Sequence, residues 1–348
     1  MREQKFIDSE LGHDLLLEKM RPQLTFSEGT DYTEWKRSLK AKFIELTGLD
    51  EIEKNACPLN LQVEWEEEKE KYRLIRFTID SEVGETVPCY LVIPKLGKKT
   101  YPVAITLQGH STGFHLSIGE KKMPEDEKYK EKGRGEFALQ AVENGFIGLA
   151  IEQRGMGERK PYRKNRIPNY NCRYAAHVAI GLGRTILGER MWDVSKAIDA
   201  LSYFPECDTD KILITGNSGG GTMSYYAACF DARIKLSVPS CSLCSYKGSI
   251  LSIAHCACNY IPFAYKYFDM QDLSCLIAPR RLAIVTGQKD EIFPIEDVRR
   301  SYETVKAVYR TSGVEENCRL VETPMAHWWC ADIVWNTINE ECKKLGWK

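Results

Sequence analysis

Lys211-Ile212-Leu213-Ile214-Thr215-Gly216-Asn217-Ser218-Gly219-Gly220 decides how the rest of this chain is read. Its first half is a short apolar run ending in a turn signal, the pattern of a buried strand. Its second half sets a serine among glycines, the pattern of a strand that turns sharply into a helix with the serine at the apex. The glycines have a steric reason: strand and helix cross closely, and a Cβ at Gly216 or Gly220 would stand in the crossing. G-x-S-x-G alone recurs by chance, so the weight rests on the strand-turn-helix context, which the flanking residues supply.

Such a serine is a hydrolytic nucleophile when an acid and a histidine follow it in the order Ser, Asp/Glu, His, the chain order of the α/β-hydrolase fold. The six histidines are His13, His110, His115, His177, His255 and His327. Two follow Ser218, and only His327 stands near the C-terminus, just past the apolar segment Arg319-Leu320-Val321. Arg281 to Gly287 reads as a buried strand, and the loop leaving it, Gln288-Lys289-Asp290-Glu291-Ile292-Phe293-Pro294, carries Asp290 where this fold places its acid. Glu291 and Asp297 are the fallback acids. Asp297 ranks below because Pro294-Ile295-Glu296-Asp297 reads as the first turn of a helix, where acids suit the dipole.

The residue types match a chemistry. A serine hydroxyl is a poor nucleophile at neutral pH, so His327 would take its proton during attack on a carbonyl and return it to the leaving group. Asp290 would hold the imidazole tautomer and stabilise the imidazolium. The tetrahedral oxyanion needs donors, of which one is the backbone N–H after the nucleophile, here Gly219. The other comes from the loop after an earlier strand. Tyr101 to Gln108 is a buried strand pattern ending in Gly109-His110-Ser111-Thr112-Gly113, which assigns that donor to the backbone N–H of His110, with Gly109 permitting the turn. His110 could instead serve as a second acid/base group.

Composition bounds the class. A chain of 348 residues with 43% hydrophobic content can bury a large core, and one catalytic domain with an N-terminal extension is favoured over two independent domains. The 48 basic and 49 acidic residues are interspersed, which leaves no basic footprint for nucleic acid or an anionic membrane. Glu120 to Lys132 mixes signs and reads as a solvated loop or helix face. The first eight residues lack an apolar signal core, and no run approaches the roughly eighteen apolar residues of a membrane span, so a cytoplasmic location is expected unless a leader was removed.

Thirteen cysteines in a long chain without a visible secretion signal predict mostly reduced, buried thiols. Cys241-Ser242-Leu243-Cys244 followed by His255-Cys256-Ala257-Cys258 could supply a tetrahedral zinc site. Against that, the second pair need not converge with the first, and the small apolar surroundings bury thiols without metal. No metal is therefore expected.

Along the chain, residues 1 to 60 form an N-terminal extension, mainly helical or irregular. Trp35, Leu39, Phe43 and Leu46 carry the helical spacing. Glu64 to Glu70 reads as an acidic turn or strand end. Strands are predicted at Leu74–Ile79, Val87–Pro94, Tyr101–Gln108 and Phe146–Ile151, a crossover helix at Glu189–Phe204, then the serine strand and a sixth at Ile234–Val238. Residues 241 to 275 are too long for a simple connection and read as an insertion after that sixth strand, over the site. Residues 61 to 348 make up the catalytic domain.

The blocks Gly109-His110, Glu152-Gln153-Arg154-Gly155-Met156-Gly157, Gly183-Arg184-Thr185 through Trp192-Asp193, Gly216 to Gly221 and Gly287 through Pro294 together resemble the acetyl xylan esterase-related α/β-hydrolases. They are also broadly similar to the dienelactone hydrolase and prolyl oligopeptidase-like groups. The resemblance spans roughly residues 60 to 345. It implies a mostly parallel sheet flanked by helices, and deacetylation of acetylated sugars with Ser218, Asp290 and His327 as the triad. Two departures bear on the substrate. Related deacetylases carry an aromatic residue where His110 stands and a glutamine where Gly219 stands, and here His327 is followed by Trp328-Trp329. Trp328 could stack on a sugar face, or be core. Arg154 could bind substrate, or pair with carboxylates that hold loops together.

The sequence thus predicts a serine carboxylesterase acting through an acyl-enzyme on a small-molecule ester, with acetylated oligosaccharide as the favoured substrate class. No cofactor is required, since triad chemistry needs none. A serine peptidase and a non-catalytic binding protein of the same fold are the alternatives. A homo-oligomer is compatible with the sequence.

Overall fold

A computed structural model describes residues 9–130, 133, 135–161 and 172–347. Within them, β1 (Gln62–Glu68), β2 (Tyr72–Glu82), β3 (Glu85–Pro94), β4 (Tyr101–Leu107), β5 (Ile147–Ile151), β6 (Cys207–Asn217), β7 (Ile234–Ser240), β8 (Arg281–Gly287) and β9 (Cys318–Thr323) form one sheet. Its order is β1-β2-β3-β5-β4-β6-β7-β8-β9. The six strands from β5 to β9 in that order run parallel, while β1, β2 and β3 pair antiparallel. Helices α1 (Leu11–Lys19), α2 (Tyr32–Thr47) and α3 (Leu49–Glu53) precede the sheet. Then come α4 (Glu127–Lys130), α5 (Phe137–Glu143), α6 (Cys172–Gly181), α7 (Ile186–Ala200), α8 (Gly219–Phe230), α9 (Ala264–Tyr267), α10 (Ile295–Thr311) and α11 (Ala331–Lys344).

Strands covered on both faces need apolar residues at consecutive positions, which is why β4 and β8 read as nearly unbroken apolar runs. Alternate side chains go to opposite faces. Val103, Ile105, Leu107, Ile212, Ile214, Leu282 and Ile284 join the larger core cluster with α2, α3, α7, α8 and α10. Ala104, Leu213, Ala283 and Val285 face the other way, against α5 and α11. Each buried Leu or Ile contributes roughly 1.5–3 kcal/mol, so a one-residue slip of register, which exchanges the faces, is strongly disfavoured. In α2, Trp35, Leu39 and Phe43 are buried at the predicted spacing. Thr47 rather than Leu46 completes the stripe, its hydroxyl donating to Phe43 O at 2.7 Å.

Glu64 to Glu70 is corrected by the structure: most of it lies in β1, an edge strand on which only Trp65 is half-buried, against Tyr90. Its glutamates point to solvent on both faces, so no alternation marks it. Charge at an edge discourages pairing with another chain. The extra strand moves the insertion: residues 241–275 follow β7, the seventh strand and not the sixth. No helix among the described residues is long and apolar enough to cross a membrane.

Candidate active site

β6 runs directly into Ser218, whose backbone has φ 57° and ψ −122°, a region costly for any residue with a Cβ. The strain is held from both sides. Ser218 N–H donates to Ser240 O at 3.0 Å, and Ser218 O accepts from Thr222 N–H at 2.8 Å as α8 begins. The flanking glycines are required by contact rather than by turn geometry alone. A Cβ on Gly216 or Gly220 would run into the carbonyl of Leu107 at the end of β4, and one on Gly221 into Ser240 O.

On the loop after β8, Asp290 is 4% exposed, and its Oδ1 accepts from the backbone N–H groups of Ile292 at 2.9 Å and Phe293 at 3.1 Å. That fixes the carboxylate so that Oδ2 meets His327 Nδ1 at 2.8 Å. The imidazole stacks on Phe293 with ring centroids 5.9 Å apart. Its Nε2 is buried and has no hydrogen-bond partner among the described residues. The fallback acids do not reach it: Glu291 is exposed, and Asp297 pairs with Arg300.

Ser218 and His327 line one small pocket of about 130 Å³ together with Gln108, Gly109, His110, Tyr129, Phe137 and Trp329. The loop after β4 presses against the elbow, for a Cβ on Gly109 would lie 2.8 Å from Asn217 O and 3.2 Å from Ser218 Cβ. Neither His110 N–H nor Gly219 N–H has an acceptor among the described residues. For Gly219 this follows from its place in the first turn of α8, whose amides have no intrahelical partner. Tyr129 Oη donates to His110 O at 3.2 Å and braces the loop.

Two sequence-predicted residues are not brought to this pocket. Arg154 is buried with its guanidinium committed: Nε and Nη2 donate to the two Asp193 oxygens, each at 2.9 Å, and Nη2 donates to Glu82 at 2.6 Å. Burial would raise the Asp193 carboxyl, yet Arg154 and Arg159 outweigh it and hold it well below the usual carboxylate range. Of the two roles open to Arg154 in the sequence, these contacts are those of a residue that ties loops together. Trp328 also lies outside the pocket lining, whereas Trp329 is in it, tilted against Phe137 with ring centroids 4.4 Å apart and its indole N–H donating to Gln140 at 3.1 Å. The sequence marked the tryptophan pair but gave no period by which to tell the two apart. Tyr129 was missed because it lies in the charge-dense stretch read as a solvated face.

A second cavity of about 1010 Å³ shares His110, Ser111 and Tyr129 with the small pocket and is lined further by Glu125, Lys128, Arg173, His177, His255 and Tyr260. Residues 254–257 and 260 belong to the 241–275 segment, which therefore forms part of its wall. The cysteines suggested by spacing do not gather as a group. Cys241 lies beside Asp290 and His327, and His255 Nδ1 accepts from Cys256 N–H at 2.9 Å rather than facing the sulfurs. Cys256 and Cys258 instead meet Cys172 and His110. None of the thirteen cysteines is in a disulfide.

Comparison with known proteins agrees with this fold. The sequence profile of the Abhydrolase family matches residues 2–324. Over 279 residues the chain is 26% identical to "Putative hydrolase YtaP" of Bacillus subtilis (strain 168), covering 79% of this chain and 89% of that one. A putative acetyl xylan esterase from Bacteroides fragilis NCTC 9343 superposes with a TM-score of 0.75 at 18% identity, over 92% of this chain and 82% of the other. A glucuronoyl esterase from Solibacter usitatus gives 0.63 at 15% identity, over 93% and 97%. With the elbow, the sheet order and the profile in agreement, the chain belongs to the Abhydrolase family and has the α/β-hydrolase fold.

Proposed function

We propose that the protein is a serine carboxylesterase in which Ser218, His327 and Asp290 form the triad and the N–H groups of His110 and Gly219 bind the oxyanion. The observation that carries this reading is the 2.8 Å His327–Asp290 hydrogen bond, which leaves Nε2 buried and unpartnered in the pocket that Ser218 also lines. Nε2 takes the Ser218 proton as Oγ attacks the ester carbonyl, and returns it to the departing alcohol. Water then repeats the sequence on the acyl-enzyme. The unpaired amides of His110 and Gly219 stabilise the oxyanion at each tetrahedral stage.

Pocket size supports a small acyl group. At about 130 Å³ the serine pocket is far below the roughly 300–1,000 Å³ of drug-sized ligand sites, and suits an acetyl group. The adjoining cavity of about 1010 Å³, with its tyrosines and charged rim, suits a polar alcohol portion such as a sugar. Solved structures of similar fold that are named acetyl xylan esterases point the same way.

The test is hydrolysis of aryl esters from acetate to octanoate, acetylated xylo-oligosaccharides and an aminoacyl anilide by the native chain and Ser218→Ala. Turnover by the native chain alone, confined to acetate and acetylated sugars, is the expected result. Cleavage of long esters or the anilide moves the assignment to a lipid esterase or peptidase, and full activity in Ser218→Ala overturns the mechanism.

A further inference from the structure

Beside the serine pocket, three cysteines and a histidine distant in sequence come together. Cys172 Sγ and Cys258 Sγ each lie 3.2 Å from Cys256 Sγ. His110 Nε2 lies 3.1 Å from Cys172 Sγ, 3.1 Å from Cys256 Sγ and 3.3 Å from Cys258 Sγ. All four atoms fall within 4.8 Å of one another. We propose that His110, Cys172, Cys256 and Cys258 bind a structural zinc ion.

The distances favour an ion over its alternatives. A disulfide needs sulfurs about 2.0 Å apart, so no pair is bonded. Buried thiols without a metal pack as small apolar groups among apolar side chains. Here the sulfurs and the ring nitrogen face one another instead. With Zn–S near 2.3 Å and Zn–N near 2.0 Å, a tetrahedron has ligand edges of about 3.5–3.8 Å. Outward movement by about half an ångström per edge would seat the ion in the Cys₃His arrangement of closed structural sites.

The charge balance is simple. Three thiols release three protons to solvent, His110 gives the lone pair of Nε2 while its remaining proton sits on Nδ1, and Zn²⁺ with three thiolates leaves one net negative charge. Asn259 Nδ2 donates to Cys258 Sγ at 3.8 Å. Such outer partners orient metal ligands.

The ligands tie the loop after β4 to the start of α6 and the 256–258 turn of the 241–275 segment, the last two of which already share one small apolar cluster. One of them, His110, carries a proposed oxyanion donor on its own backbone, so the ion would brace that donor. The zinc assignment stands on the four ligands and does not depend on the esterase reading.

The full chain, purified under reducing conditions from zinc-supplemented medium, should contain stoichiometric zinc by mass spectrometry. The Cys172→Ser/Cys256→Ser double variant should lose it, and Cys244→Ser, outside the cluster, should keep it. Cobalt(II) exchanged into the native chain should give intense visible bands of tetrahedral cobalt and thiolate charge-transfer absorption, a readout independent of whether any variant folds. Absence of zinc from the native chain so purified, a weak octahedral cobalt spectrum, or zinc persisting in the double variant would each overturn the proposal.

Discussion

His327 Nδ1 and Asp290 Oδ2 lie 2.8 Å apart although 37 residues separate them, because the loops that carry them are stitched together. Gln288 N–H donates to Thr323 O at 2.8 Å and Lys289 N–H to Met325 O at 2.9 Å, which carries the ends of β8 and β9 forward in register. Asp290→Asn keeps an acceptor for the Ile292 and Phe293 amides but favours the wrong imidazole tautomer. It should lower kcat on an aryl acetate by about 10⁴-fold while moving the urea midpoint little. A rate within about tenfold of native would remove Asp290 from the mechanism.

Gly109 separates activity from folding at the oxyanion loop. Alanine there would press on Asn217 O and Ser218 Cβ, and relief comes from displacing the loop that holds the His110 amide. Loss of one oxyanion donor costs about 10²–10³ in kcat, whereas overpacking of this kind costs about 1–3 kcal/mol of stability. Gly109→Ala should therefore remain folded by circular dichroism yet lose kcat by about two to three orders of magnitude. Unchanged kcat would mean that the loop donor is not used.

The site was legible where local sterics and chain order constrain the residues. Gly216 and Gly220 announce a close crossing because nothing larger fits there, and the order Ser218, Asp290, His327 follows from the order of the parallel strands that carry them. What stayed hidden depends on contacts between remote segments. Cys172 and Cys256 are 84 residues apart and meet only because α6 packs against the 256–258 turn, so spacing grouped Cys256 and Cys258 with Cys241 and Cys244 instead. β1 escaped notice for the opposite reason: an exposed edge strand has no buried face to impose alternation. Arg154 sits in the motif block that suggested substrate contact, and only the approach of Asp193 and Glu82 from other elements reveals its partners.

Arg154→Met tests that partnership. Removing the guanidinium takes one counter-charge from buried Asp193 and Glu82, which keep Arg159 and Arg184 at 2.6 Å, so the loss should fall below the roughly 3–5 kcal/mol of a buried pair broken outright. Chemical denaturation should register it, while KM for an acetylated sugar in the folded fraction stays within about threefold of native, since uniform binding energy is not lost. A large rise in KM with unchanged stability would return Arg154 to the substrate.

Glu152 predicts a pH dependence of stability. It is buried, accepts from the amides of Phe114 at 3.2 Å and Glu158 at 3.1 Å, and burial pushes its carboxyl up to about 7. An acid whose folded value is raised holds its proton longer in the native state. Its ionisation penalty is thus absent below the unfolded value near 4.5, grows as pH rises toward 7, and is constant above that. Glu152→Gln, which still offers an oxygen to both amides, should unfold at a higher urea concentration than native at pH 8, by about 1–3 kcal/mol, with the gap closing toward pH 4.5. A gap independent of pH would show that the carboxyl does not titrate in this range.

Trp329 should set which acyl groups enter. Its indole closes the wall of the serine pocket, held by Phe137 and by the hydrogen bond to Gln140. In a pocket this small each added methylene must displace a side chain, and one methylene in a tight apolar site discriminates by about 10–200-fold. Trp329→Phe shortens the wall without introducing a polar group, so kcat/KM for propionate or butyrate esters should rise relative to acetate by about tenfold or more. The deleted ring volume costs some stability, which the urea midpoint measures separately. If the acetate preference is unchanged in a folded variant, the acyl group sits elsewhere, and the larger cavity beyond His110 and Tyr129 becomes the place to look for it.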